Sequence, residues 1–169
     1  PDWLKVRLPS GDNYREVLSM MRRSKLNTVC EEAKCPNLAE CWNSRTATYM
    51  ILGNTCTRTC GFCDVKSGRP TFLDWDEPNR VVQSVIDLGL KHVVITSVNR
   101  DELKDGGAAI FSKTIELIRE KAPLCSIEIL IPDFQGDEEA FEIIMKNPPD
   151  ILNHNLETVQ RLYHAVRPQ

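Results

Sequence analysis

The sequence predicts an α/β fold in which a parallel sheet, covered by helices, forms part of a (β/α) barrel. Three observations carry this. Four short apolar runs, at residues 47–53, 92–96, 127–131 and 151–154, alternate with longer segments of helical spacing. The runs are continuously apolar rather than alternating, as strands of a covered parallel sheet are. Polar segments follow the C-terminal end of each run: the cysteine loop after the first, Thr96-Ser97-Val98-Asn99-Arg100-Asp101 at the second, Pro132-Asp133 after the third and Asn153-His154-Asn155 at the fourth. In a parallel barrel that rim carries the working residues.

Residues 1–12 are turn-rich, and Trp3, Leu4, Val6 and Leu8 suit an extended arm laid across another surface. Asp12 or Asn13 can cap a helix over 14–26, where Tyr14, Val17, Leu18, Met21 and Leu26 form an apolar stripe. Pro36-Asn37 starts a short helix reaching Cys41, with Cys30 on a loop before it. Residues 1–46 thus read as a helical, cysteine-bearing extension, and residues 47–169 as the partial barrel. Helices are expected over 78–89, 108–121, 138–146 and 156–166, the last closed by Arg167-Pro168.

The chain of 169 residues suits one domain, and its 41 % apolar content is enough for a core. Lys and Arg number 21 against 24 Asp and Glu, a net charge of -3, which gives no support to a nucleic-acid partner. No signal peptide or membrane-length apolar run is evident, so the chain reads as soluble, unexported and free of any membrane. Without an oxidising compartment, the seven cysteines read as metal or cluster ligands rather than disulfides.

Six of those seven fall in two trios: Cys30, Cys35 and Cys41, spaced C-x4-C-x5-C, and Cys56, Cys60 and Cys63, spaced C-x3-C-x2-C. Structural zinc takes four ligands, commonly as paired C-x2-C units. Only Cys60 and Cys63 make such a pair, and each trio is one ligand short. Three thiolates can hold three irons of an iron–sulfur cube and leave the fourth iron open. On residue type and spacing, both a zinc or iron–sulfur binding module and a cluster enzyme remain open.

The C-x3-C-x2-C loop after a strand, with Phe62 between its last two cysteines, resembles the radical S-adenosylmethionine (SAM) motif. Residues 29–42 (VCEEAKCPNLAECW), 47–53 (ATYMILG), 96–107 (TSVNRDELKDGG) and 153–159 (NHNLETV) resemble the lipoyl synthase family within it. The likeness runs from about Pro1 to Pro168, and the two trios in this order make it specific. It implies two [4Fe-4S] clusters: a reducing one on Cys56, Cys60 and Cys63, whose open iron SAM chelates, and an auxiliary one on Cys30, Cys35 and Cys41, the sulfur donor. The implied reaction inserts two sulfur atoms at carbons 6 and 8 of an octanoyl chain on a carrier-protein lysine. Those C–H bonds are unactivated, so hydrogen abstraction falls to the cofactor. Another radical SAM sulfur-inserting enzyme, such as a methylthiotransferase, is the nearest alternative.

The resemblance also implies an octanoylated lipoyl-carrier protein as partner (an H protein or the acyltransferase subunit of a 2-oxoacid dehydrogenase). A donor such as flavodoxin or ferredoxin would supply electrons. The compartment would be cytoplasmic, or the mitochondrial matrix in a eukaryote. Candidate SAM contacts are Phe62, Thr96, Ser97, Glu128 and Asn155, with Asp105, Gly106 and Gly107 at a helix start that can receive an anion. Arg58 and Arg100 are candidate partners for anionic groups, and Cys125 reads as a buried, inert thiol. The family's barrel is longer than four β/α units, and its auxiliary cluster takes a fourth ligand from a C-terminal Arg-Ser-Ser-Tyr segment that this chain lacks. The chain is therefore expected to be the N-terminal part, truncated after about four units.

Overall fold

A computed structural model describes residues 10–167. The expected arm at Trp3, Leu4, Val6 and Leu8 lies outside them. Helix α1 (Asp12–Ser24) leads into a short strand β1 (Asn27–Thr28) and two short helices, α2 (Val29–Glu32) and α3 (Leu38–Asn43). Strand β2 (Thr48–Ile51), helix α4 (Glu77–Asp87), strand β3 (His92–Ser97), helix α5 (Ala108–Lys121), strand β4 (Ser126–Ile131), helix α6 (Glu138–Met145) and strand β5 (Ile151–His154) then alternate, and α7 (Tyr163–Val166) follows. The sheet runs β1-β2-β3-β4-β5, with β1 antiparallel to β2 and the other pairs parallel.

The four expected strands are present, and β1 is an addition. Its two residues, Asn27 and Thr28, are polar and carry no apolar signal; their strand geometry exists only through pairing with Met50 and Tyr49. The first cysteine trio also differs in detail. Cys30 lies within α2, which Thr28 caps by accepting a hydrogen bond from the Glu31 amide, rather than on a loop.

Because strand side chains alternate, the register assigns two faces. Tyr49, Ile51, Val93, Ile95, Ile127 and Ile129 join the core with Val81, Val82 and Val85 of α4, Phe111, Ile115 and Ile118 of α5 and Ile144 of α6. Burial pushes the Tyr49 phenol up to about 12, and its hydroxyl meets that of Ser84 at 2.7 Å. The other face aligns Thr48, Val94, Glu128 and Ile151, and above them Met50, Thr96, Leu130 and Asn153. Most of these are only half-buried, so this face is the less covered side of the sheet. At the β5 edge Ile151 and Leu152 are exposed.

The expected helix over 156–166 is not formed. Glu157 has φ 62, and the helical geometry is confined to a 3-10 turn (Gln160–Leu162) and α7. Leu156, Val159 and Leu162 are exposed, so the apolar residues that mark this stretch as helical do not pack into the described core. An amphipathic helix draws most of its stability from such packing.

Candidate functional site

The site is built where β2 ends. Leu52 follows the strand in a left-handed conformation (φ 69), rare for a side chain of its size. It is gripped on both sides: the buried Glu77 carboxylate accepts its N–H at 2.7 Å, and Arg100 donates to its carbonyl at 2.8 Å. Burial raises the Glu77 pKa against the lowering effect of that amide. Arg100 also donates to the Phe72 carbonyl and to Glu102, so this guanidinium is spent on the protein's own groups. This turn launches the cysteine loop.

The loop is tied to its surroundings at many points. Cys56 pairs through its backbone with Lys66 and Gly68, and the Cys56 thiol sulfur accepts hydrogen bonds from the Arg58 and Asn99 amides at 3.4 Å each. Thr57 donates from its amide to the Asn99 carbonyl and from its hydroxyl to Asp101. Arg58, only 3 % exposed, donates to both Asp101 oxygens (2.8 and 2.9 Å) and both Asp133 oxygens (2.6 and 2.7 Å). Hydrogen bonds from Arg58, with further help from the Gln135 amide and Arg167, hold the Asp133 carboxyl down to about 2. Burial works against ionisation of Asp101, but the bonds from Arg58 and Thr57 still hold it below the usual carboxylate range. Arg58 and Arg100 are thus buried and paired, not free to receive a ligand anion.

A cavity of about 230 Å³ opens at this rim. Cys56, Cys60, Phe62 and Cys63 line one side, Thr96, Ser97 and Asn99 the β3 end, Leu130 to Pro132 the β4 end, and His154, Asn155, Glu157 and Arg167 the far side. Val29 and Ala33, which flank Cys30 in the other trio's segment, complete it. Phe62, Thr96, Ser97 and Asn155 of the expected contacts therefore meet here. Thr96 donates its hydroxyl proton to the Leu130 carbonyl at 2.9 Å. Ser97 pairs with Ile51, so its side chain falls on the helix-facing side, and among the described residues its buried hydroxyl has no hydrogen-bond partner.

Four expected contacts are not brought to the cavity. Glu128 lies deeper in the barrel, bonded to Asn153 at 2.7 Å and to His92 at 3.0 Å. Asp105 caps its own helix, accepting from the Gly107 and Ala109 amides. Gly106 and Gly107 provide close packing: a Cβ on Gly106 would meet Phe134 at 2.7 Å, and one on Gly107 would meet Leu52 at 2.3 Å. A capped, packed helix start of this kind is occupied by its own side chain and offers no open anion site. Conversely, Asn99, Asp101, Asp133 and Arg167 hold or line the site without having been singled out as contacts. The only signal in the sequence was their place just after strands or near the chain's last residues.

All seven cysteines are free thiols. Burial raises the Cys60 pKa; Arg167 opposes this, and the neighbouring Cys56 and Cys63 add to it. Burial likewise raises that of Cys41, with Cys30 and Cys35 adding their charge. The thiols of each trio therefore feel one another. Among the described residues, though, no three His, Cys, Asp or Glu side chains converge to grip one ion. Cys125, buried on its own at the start of β4, is raised mainly by burial.

A family model of the radical SAM superfamily matches residues 50–169. The chain belongs to the radical SAM superfamily. A second model, the N-terminal domain of lipoyl synthase of the radical SAM family, matches residues 1–35. The chain is 60 % identical over 169 residues to a lipoyl synthase of Rubrobacter xylanophilus, covering 100 % of this chain and 53 % of the relative. It is 57 % identical over 169 residues to one of Roseiflexus sp., covering 100 % and 56 %. A lipoyl synthase of Oceanobacillus iheyensis is 58 % identical over 168 residues, 99 % of this chain and 54 % of the relative. The chain spans about half the length of the curated relatives it matches. Among the described residues of this radical SAM chain, no helix is long and apolar enough to cross a membrane.

Proposed function

We propose that the chain is the N-terminal part of a lipoyl synthase, which inserts two sulfur atoms at carbons 6 and 8 of a protein-bound octanoyl-lysine. The observation that carries this reading is one cavity bounded by Cys56, Cys60 and Cys63 on one side and by Val29 and Ala33, beside Cys30, on the other. A substrate there would lie against the loop of Cys56, Cys60 and Cys63 and against the helix that carries Cys30. Its walls include Val29, Met50, Val65, Val98, Leu130 and Ile131, which suit an aliphatic chain.

In this reading Cys56, Cys60 and Cys63 hold a reducing [4Fe-4S] cluster, and Cys30, Cys35 and Cys41 hold the auxiliary cluster that donates sulfur. SAM, bound at the reducing cluster, supplies a carbon radical able to abstract hydrogen from an unactivated C–H bond. The chain's own residues do the rest. Phe62 and Asn155, which line the cavity, would flank the nucleoside of SAM. The apolar wall excludes water and aligns the acyl chain, so that a reactive radical meets its target carbon before any other. The partners are an octanoylated lipoyl-carrier protein and a flavodoxin- or ferredoxin-like donor, in a reducing cytosol or matrix.

The test is 5′-deoxyadenosine formation from SAM by the anaerobically reconstituted, dithionite-reduced chain. Formation that Cys60→Ala abolishes supports the reading. Formation unchanged by Cys60→Ala, or none from a chain carrying its full iron, overturns it. An octanoyl-lysyl peptide then separates lipoyl synthase from other sulfur-inserting radical SAM enzymes, since only the former thiolates it.

A further inference from the structure

We propose that Arg58 is a positioning residue of the reducing site: it pins the 56–63 loop to the β3 and β4 rims and so fixes where the loop's cluster faces bound SAM. The inference rests on the functional reading above. Arg58 lies between two proposed cluster ligands on a loop whose neighbours Thr59, Gly61, Phe62 and Cys63 are exposed, yet it is buried. Its Nε and Nη2 hold Asp101, on the loop after β3; its Nη1 and Nη2 hold Asp133, on the loop after β4. Both carboxylates are held again from elsewhere, Asp101 by the Thr57 hydroxyl and Asp133 by the Gln135 amide and Arg167. Two guanidinium groups and two carboxylates thus form a neutral, closed set. The Arg58 main chain is fixed as well: its amide donates to the Cys56 sulfur at 3.4 Å, and its carbonyl accepts from Ser67 at 2.8 Å.

With Phe62 and Cys63 exposed, little apolar packing holds the tip of this loop. Polar pinning therefore decides its position, and loss of the pin shifts the loop without removing a thiol. The geometry is specific to arginine. Serving two carboxylates edge-on needs a planar fork of several donors, whereas a lysine presents one point charge. A ligand that must touch both the loop's cluster and the β3 rim, which line the same cavity, is sensitive to that shift.

The experiment compares the unaltered chain with Arg58→Lys and Asp133→Asn after anaerobic reconstitution. It measures iron and sulfide per chain, the urea midpoint, and the SAM concentration that half-saturates the change in the reduced cluster's electron paramagnetic resonance spectrum. Arg58→Lys is expected to keep its iron and to raise that concentration about tenfold or more, the usual cost of losing an outer-shell partner. Asp133→Asn, at a half-exposed position that leaves the packing intact, is expected to move it in the same direction. A half-saturating concentration within about twofold of the unaltered chain in both variants overturns the inference. So does an iron loss that tracks the fall in urea midpoint, because that marks a purely structural role. A SAM response missing from the unaltered chain overturns the functional reading, and the inference falls with it.

Discussion

Gly107→Ala isolates the packing that sets the turn before the cysteine loop. Gly107 sits at φ 92, where a Cβ costs about 1–2 kcal/mol from backbone strain alone. An added methyl would also lie 2.3 Å from Leu52 Cδ1 and 2.9 Å from Leu52 Cδ2. Leu52 is 2 % exposed and its backbone is held by Glu77 and Arg100, so its side chain can yield only by pushing into packed neighbours. Overpacking of this kind costs about 1–3 kcal/mol, for a total of about 2–5 kcal/mol. Gly89 supplies the control: its φ is 61, but a Cβ there meets nothing within 4 Å. Gly89→Ala should therefore cost only the backbone part, about 1–2 kcal/mol. Urea unfolding of both variants measures the difference, expected at about 1–3 kcal/mol. Equal costs would refute the claim that Leu52 and Gly107 form a fixed contact, and with it the account of how the cysteine loop is launched.

Other outcomes follow from the same structure. Tyr49→Phe strands the buried Ser84 hydroxyl and should cost about 1–2 kcal/mol in urea unfolding, part of which Tyr49→Phe with Ser84→Ala recovers. Asp133, held near 2 in the fold and close to about 3.9 when unfolded, contributes stability above pH 4 that is lost as pH falls toward 2. The urea midpoint of Asp133→Asn should therefore depend less steeply on pH over that range; an unchanged slope contradicts the Arg58–Asp133 pairing. Cys35→Ala should leave the SAM-responsive signal intact while lowering iron by about four per chain, and Cys60→Ala should remove the signal. The reverse pattern would exchange the roles of the two trios.

Much of the fold was legible because apolar runs report burial directly. The apolar runs at 92–96, 127–131 and 151–154 fall within β3, β4 and β5, and α5 stands where its stripe of Ile110, Phe111, Ile115 and Ile118 predicts it. β1 was not legible, because Asn27 and Thr28 become a strand only through a partner on β2. The last helix was overcalled because its pattern is real but its exposed apolar residues do not join the described core. The spacing of the cysteines sets the two trios apart, and the strand ends at Ser97 and Asn155 do line the cavity beside Cys56, Cys60 and Cys63. The network around Arg58 was not: its partners lie 43 and 75 residues away, and only the fold brings them together. Asp105-Gly106-Gly107 misled for a related reason. A helix start that can receive an anion looks the same in sequence whether a ligand or its own aspartate fills it.

The most direct test of the central claim is a count of iron, sulfide and zinc per chain after anaerobic reconstitution. Two cluster-holding trios predict about eight irons with matching sulfide and little zinc. A chain carrying mostly zinc, with little iron and no sulfide, would contradict the claim and leave a structural metal module in its place.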